Sequence, residues 1–155
     1  MIQIGEADRA RTIRVNIPAG VTEGQKIRLT GQGGPSSGRG KSGDLYLAIQ
    51  IRPHRLFQLE GRDVTLKLPL APWEAALGTS VKVPTLGGSV EMRIPAGAQS
   101  GQKLRLRARG LPGTPPGDQY VELTIVVPPA NTDEAKALYE QMQREMPFDP
   151  RADLL

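Results

Sequence analysis

Apolar and polar residues alternate along most of this 155-residue chain. Ile13-Val15-Ile17, Ile27-Leu29, Leu45-Leu47-Ile49-Ile51, Val64-Leu66-Leu68-Leu70, Val81-Val83, Val90-Met92-Ile94, Leu104-Leu106 and Val121-Leu123-Ile125-Val127 each put apolar side chains on one face of a strand. The opposite faces carry Arg14, Lys26 and Arg28 early on, and Lys103, Arg105, Arg107 and Arg109 later. One interruption, Trp73-Glu74-Ala75-Ala76-Leu77-Gly78, consists of helix formers closed by a glycine and predicts a short helix. Trp73 is expected in the core, beside Ala75-Ala76-Leu77.

From Asn131 the period lengthens. Asn131 or Thr132 is a suitable cap, and Asp133-Glu134 suits the positive end of a helix. Ala135, Leu138, Tyr139, Met142 and Met146 then form one apolar stripe, which Pro147 ends before Phe148-Asp149-Pro150. A stripe of this kind has to be buried on its own body or on a second subunit.

Two stretches are copies of each other. Ile17 to Leu29 reads IPAGVTEGQKIRL and Ile94 to Leu106 reads IPAGAQSGQKLRL. After a loop of different length, Gly43-Asp44-Leu45-Tyr46 matches Gly117-Asp118-Gln119-Tyr120. A repeat of this length predicts two copies of one unit. The fold expected is all-β: two tandem domains, one short helix in the second, and a C-terminal helix. The divisions fall at 1–57, 58–130 and 131–155. The second copy contains Asp63 to Pro84 ahead of its Val90–Ile94 strand. The first has only Met1 to Gly5 there, with Ile2-Gln3-Ile4 as the counterpart of Val81-Lys82-Val83. Either this is a fragment of a longer protein or its first sheet has an unpaired edge, a liability; the fragment is the expectation taken.

Composition narrows the chemistry. The absence of cysteine removes disulfides, thiolate metal sites and Cys nucleophiles. The single histidine, His54, has no orienting acid or nucleophile beside it, and reads as a structural residue at a strand end. No enzyme activity, metal or cofactor is expected. No apolar run approaches the roughly 20 residues of a membrane span, and no secretory leader is read, so a cytoplasmic location without membrane contact is the expectation. Charge is uneven: residues 1–57 carry nine Lys/Arg against four Asp/Glu, and residues 131–155 carry three against six.

Several motifs together resemble the carboxy-terminal region of the DnaJ family of J-domain co-chaperones. They are Arg11-Thr12-Ile13-Arg14-Val15-Asn16-Ile17-Pro18-Ala19-Gly20-Val21, Gly43-Asp44-Leu45-Tyr46, Pro53-His54-Arg55-Leu56-Phe57, Glu74-Ala75-Ala76-Leu77-Gly78, Val83-Pro84-Thr85-Leu86 and Ile94-Pro95-Ala96-Gly97. Pro72-Trp73 and Phe148-Asp149-Pro150-Arg151 are most similar to its curved-DNA-binding branch. The resemblance implies a shallow apolar groove on the first domain, which binds unfolded polypeptide segments and the acidic tail of the seventy-kilodalton heat-shock chaperone. Ile2, Ile4, Arg11 and Ile13 match positions at that groove. It also implies two tandem β-sandwich-like domains and a homodimer in which the terminal helix is a C-terminal dimerisation helix, with contacts expected at Leu138, Tyr139, Met142, Met146 and Phe148. The His-Pro-Asp motif, the Gly/Phe linker and the Cys-x-x-Cys units of the full family are absent from this sequence.

Two further motifs have plainer explanations. Gly38-Arg39-Gly40-Lys41-Ser42-Gly43 matches a phosphate-loop pattern, but a strand rather than a helix follows it, so a hairpin loop is expected. Arg14, Lys26, Arg28, Lys103, Arg105, Arg107 and Arg109 are candidate DNA phosphate contacts. That makes a nucleoid-associated DNA-binding module the alternative function. The plainer account is a solvated strand face, because no aromatic residue is interleaved and no recognition helix is read.

Overall fold

A strand is only as long as the partner it pairs with, and that rule shapes this molecule. The computed structural model describes residues 2–4, 11–34 and 42–154. The first repeat holds β1 (Ile2–Ile4), β2 (Arg11–Ile13), β3 (Lys26–Leu29) and β4 (Leu45–Ala48), which form two separate antiparallel pairs, β1-β2 and β3-β4. The second repeat holds β5 (Phe57–Glu60), β6 (Asp63–Leu70), α1 (Pro72–Leu77), β7 (Thr79–Thr85), β8 (Gly88–Ile94), β9 (Lys103–Leu106) and β10 (Gln119–Ile125). Its main sheet has the order β5-β6-β10-β9, with β6 and β10 parallel, and β7-β8 forms a separate hairpin. α2 (Asp133–Glu145) follows, then a 3-10 turn at Ala152–Leu154. The fold is all-β, as the alternation predicts.

Alternation puts Val64, Leu66, Leu68 and Leu70 of β6 and Val121 and Leu123 of β10 on the inner face of the sheet. They pack with Val83 of β7 and with Met92 and Ile94 of β8, while Ala75 of α1 closes one end. Burying each of these larger side chains stabilises the fold by about 1.5–3 kcal/mol. The two layers are also tied by a polar contact. Gln119 is fully buried, and its Nε2 donates to Pro84 O at 2.8 Å.

The first repeat lacks an equivalent core. Among the described residues, every buried side chain belongs to residues 64 to 123. Val15 and Ile17 continue the alternation of β2, yet β2 ends at Ile13, because β1 offers only three residues to pair with. The matching strand β8 runs seven residues against the seven of β7. Likewise Ile49 and Ile51 fall outside β4, whereas their counterparts Leu123 and Ile125 lie in β10, held against β6.

Pairing also corrects one alignment of the copies. Ile2 pairs with Ile13, and Val83 pairs with Val90, the counterpart of Ile13. Ile2-Gln3-Ile4 therefore corresponds to Val83-Pro84-Thr85 rather than to Val81-Lys82-Val83. The chain joining the strands is longer in the first copy, residues 5–10 against 86–87, and this moves the register. β5, which the sequence division at 57/58 cuts, pairs Phe57 with Leu66 in the second sheet.

The two repeats touch at Gly20. A Cβ placed there would lie 1.9 Å from Pro112 O, and φ is +81°, so only glycine fits. The unequal burial of the copies is measurable at matched positions. Leu123→Ala is expected to cost about 2–5 kcal/mol and Ile49→Ala less than half of that, both read from urea denaturation of the intact chain. Equal costs would show that the first repeat has a core of the same quality.

Candidate functional site

The β1-β2 ribbon brings the four groove positions together, placing Ile2 opposite Ile13 and Ile4 opposite Arg11. Ile2 and Ile13 are half-buried. The Arg11 guanidinium donates to the carbonyls of Gln32 and, at 3.2 Å, of Gly33. It fastens the ribbon to the turn after β3 while remaining exposed. β4 pairs with β3 on one side only, among the described residues. Its other edge corresponds to the edge of β10 that β6 occupies in the second repeat.

Both repeats carry the same polar latch. Asp44 Oδ1 accepts from Gly31 N at 2.9 Å, while Oδ2 accepts from Arg28 Nε at 2.7 Å and lies 2.6 Å from Arg28 Nη2. Asp118 repeats this with Ala108 N at 2.8 Å, Arg105 Nε at 2.7 Å and Arg105 Nη2 at 2.5 Å. The side chains of Asp44 and Asp118 are only 22% and 15% exposed, so water competes weakly for them. The Gly31 amide, then the Arg28 guanidinium, holds the Asp44 carboxyl below its ordinary value of 3.8. The Ala108 amide, followed by Arg105, lowers Asp118 in the same way. Neighbouring contacts repeat too: Gly24 N to Ile49 O at 2.9 Å matches Gly101 N to Leu123 O at 2.8 Å.

The latches bear on the seven candidate phosphate contacts. All seven are exposed. Arg28 and Arg105 already neutralise a carboxylate. Arg14, Lys26, Lys103, Arg107 and Arg109 form no ion pair among the described residues. Lys103 and Arg105 lie on β9, an edge strand of the main sheet, where charge also discourages edge-to-edge pairing. The signal for the latches was in the sequence: both copies carry Gly-Asp at the start of the last strand and an arginine at the same place in the strand before.

α2 starts as expected, with Thr132 Oγ1 accepting from Ala135 N at 3.1 Å. Of the dimerisation candidates, Leu138, Met142, Met146 and Phe148 are exposed. Tyr139 is half-buried, and its hydroxyl donates to Pro128 O at 2.5 Å, pinning the helix to the end of β10.

The expected burial of Trp73 is overturned, since the residue is 58% exposed. α1 has six residues, and its inward position is Ala75. Trp73, two residues earlier, points roughly 200° around the helix from Ala75. His54 Nδ1 accepts from Leu56 N at 3.1 Å and Phe57 N at 3.3 Å, and its ring packs at 5.0 Å on that of Phe57. This turn precedes β5. The glycine-rich loop lies mostly outside the described residues, although Gly33 N donates to Gly43 O at 2.7 Å where its ends meet. Among the described residues no group of His, Cys, Asp or Glu is placed to hold a metal, and no helix is long and apolar enough to cross a membrane.

The structure defines the class as all-β, a tandem repeat in which β4 is paired on one side only among the described residues. The chain belongs to the DnaJ C terminal domain family, which it matches over residues 2–128. It is 59% identical over 147 residues to a Curved DNA-binding protein of Coxiella burnetii, covering 95% of this chain and 47% of that one. Proteins of the same name from Serratia proteamaculans and Pseudomonas putida are each 48% identical, over 150 and 143 residues. Those matches cover 96% and 91% of this chain, and 48% and 45% of theirs. The chain spans about half the length of the curated relatives it matches. Family membership points to a chaperone-type role rather than a catalytic one.

Two outcomes follow from the latches. Because both carboxyl pKa values are depressed on folding, their contribution is complete above the unfolded value of about 3.9 and is lost as pH falls through the folded values. Thermal melts below about pH 4 should therefore show a steeper loss for the wild type than for an Asp44→Asn, Asp118→Asn variant; parallel curves would exclude the latches as its source. Ala108 stands at φ +56°, where the first copy has Gly31 at +67°. Left-handed backbone costs a side-chain-bearing residue about 1–2 kcal/mol, partly offset by glycine's larger entropy loss. Ala108→Gly should raise the melting temperature, by a gain of up to about 1 kcal/mol.

Proposed function

We propose that this chain is the client-binding and self-associating part of a J-domain co-chaperone. It binds extended segments of non-native polypeptides and, as a homodimer, delivers them to the seventy-kilodalton heat-shock chaperone. No reaction is catalysed and no cofactor is used. The supporting observation is the first repeat: β1 to β4 correspond to β7 to β10, but among the described residues nothing in it corresponds to β5, β6 or α1, none of its side chains is buried, and β4 is paired on one side only. An unfolded segment has free backbone groups and alternate apolar side chains, and a strand edge beside half-buried isoleucines satisfies both. Ile2, Ile4 and Ile13 supply apolar contact, and Arg11 at the rim favours an acidic tail. The other wall of the groove is assigned to a strand seated on the open edge of β4, in the place that β6 takes on β10.

A second reading rests on the name of the relatives and on the exposed cations. Arg14, Lys26, Lys103, Arg107 and Arg109 are proposed to contact DNA phosphates, giving a nucleoid-associated role beside the cytoplasmic one. Five phosphate contacts imply log affinity falling against log salt with a slope of about −4 to −5. Gel shifts at several salt concentrations test this, and an affinity independent of salt excludes it.

Titrating a labelled unfolded peptide into this chain, and into a form extended at its N-terminus, tests the main reading. The extended form should bind more tightly and should better suppress aggregation of a denatured test protein. Equal affinities would show that no wall of the groove is missing.

A further inference from the structure

A hairpin of two strands cannot cover a sheet of four. The buried cluster draws on β6, β7, β8 and β10, while β5, at one edge of the main sheet, contributes no buried side chain. Beside β5 is a hollow of about 600 Å³, lined by Ile51, Phe57, Leu59, Val64, Leu86 and Leu111. It lies where the repeats meet, because Ile51 follows β4 and the other five belong to the second repeat. Gln58 borders it together with Phe57 and Leu59. Side chains alternate along a strand, so three successive residues border one hollow only where it reaches the edge of the strand. That edge carries free main-chain groups. Leu59 stands opposite Val64, and Val64 N donates to Asp118 O at 2.9 Å, on the side of β10. Leu59 and Val64 are therefore a non-hydrogen-bonded pair of the antiparallel ladder. The Leu59 N–H and C=O point away from β6, where no other described strand pairs with β5. Phe57, two residues earlier, is oriented alike, and its N–H donates to His54 Nδ1 at 3.3 Å.

We propose that the β5 edge and the hollow beside it form a second capture site, for an extended polypeptide segment with apolar side chains at alternate positions. The proposal rests on the client-binding reading and adds a site built from other strands than the Ile2–Ile13 ribbon. Three observations favour this occupant. The outward groups of Leu59 and the outward carbonyl of Phe57 recur at strand spacing, and one extended backbone meets both. The hollow is apolar and falls within the roughly 300–1,000 Å³ of sites that enclose a ligand, so a side chain directed inward has Leu59, Leu86 and Leu111 to pack on. Charge at the mouth is also selective. Glu23 Oε2 is occupied by Ile51 N at 2.5 Å, whereas Arg52 forms no ion pair among the described residues. An acidic residue flanking the apolar ones is therefore favoured. The two edges of the main sheet differ accordingly. β9 exposes Lys103 and Arg105, while midway along β5 the exposed residue is the uncharged Gln58.

The chain has no cysteine, so Gln58→Cys takes a single environment-sensitive fluorophore at this edge. A short peptide alternating leucine and serine, with one glutamate, is titrated into the labelled chain, and its own anisotropy is followed in parallel. The fluorophore should respond as the peptide binds. A copy of the peptide N-methylated at alternate amides, which keeps the side chains but loses the ladder donors, should give no response. Leu86→Asp in the labelled chain should weaken the response by about ten-fold or more, with unchanged circular dichroism, because Leu86 lies in an exposed turn. Peptide that binds by anisotropy with a silent fluorophore, and equally well to Leu86→Asp, is held elsewhere; that overturns the β5 site and leaves client binding intact. Peptide that binds nowhere on the chain overturns both. An equal response to the N-methylated copy overturns strand addition at β5. A response to decanoate but not to the peptide assigns the hollow to a small amphiphile and overturns the proposal.

Discussion

The parallel pairing of β6 with β10 is the interaction on which the rest of the molecule depends. β6 brings four buried residues to the sheet, and it gives β10 a second ladder along its whole length. Backbone groups satisfied on both sides can be buried, so Val121 and Leu123 become core and β7-β8 has a surface to pack on. β4 has one ladder only, among the described residues, and shows the opposite result. It is shorter, its apolar residues are half-buried, and its continuation through Ile49 and Ile51 is not a strand. The same alternation of apolar and polar residues thus gives two levels of order, according to the number of strands beside it.

What survives in both copies is local. The Arg-Asp latch, the turn it holds and the bonds from Gly24 and Gly101 are reproduced to within about a tenth of an ångström, although one copy has a core and the other does not. These contacts join residues within one hairpin and need nothing from the far side of the sheet. The second copy keeps its latch even with Ala108, a residue poorly suited to left-handed backbone, where the first has glycine. A carboxylate that accepts both an amide and an arginine fork outweighs that local cost.

The same division explains what could be read from the sequence. Alternation located the strands, because the pleat imposes a period of two whatever lies beyond. Strand ends were misjudged at Val15-Ile17 and Ile49-Ile51, where apolar residues continue but pairing stops. β5 was missed because Phe57-Gln58-Leu59-Glu60 is short and begins three residues after His54, which reads as the end of a strand. Trp73 was assigned to the core on its size, yet a six-residue helix has one inward position, and Ala75 holds it. Of the candidate surfaces, the ribbon of Ile2, Ile4, Arg11 and Ile13 was legible from the repeat and the family resemblance together. The engagement of Arg28 and Arg105 was not, because alternation says that a charge faces out and not which carboxylate will meet it there.

Binding extended chains and avoiding uncontrolled association make opposite demands on strand edges. An edge able to capture a client can also pair with another copy of itself. In this protein one outer strand of the main sheet is β9, whose Lys103 and Arg105 discourage pairing, while the first repeat keeps its edge next to apolar residues. The self-association proposed for this chain runs through α2, a helix, which has no free edge to propagate along. A two-fold contact through helices closes on itself and stops at two, whereas one through strand edges can extend without limit. Joining two modest client sites in a closed pair also raises overall avidity by roughly 10² to 10⁴ without adding a contact to either. On the proposed reading, the unburied apolar stripe of α2 complements the β4 edge that is unpaired among the described residues: keeping association on the helix leaves that edge available for clients.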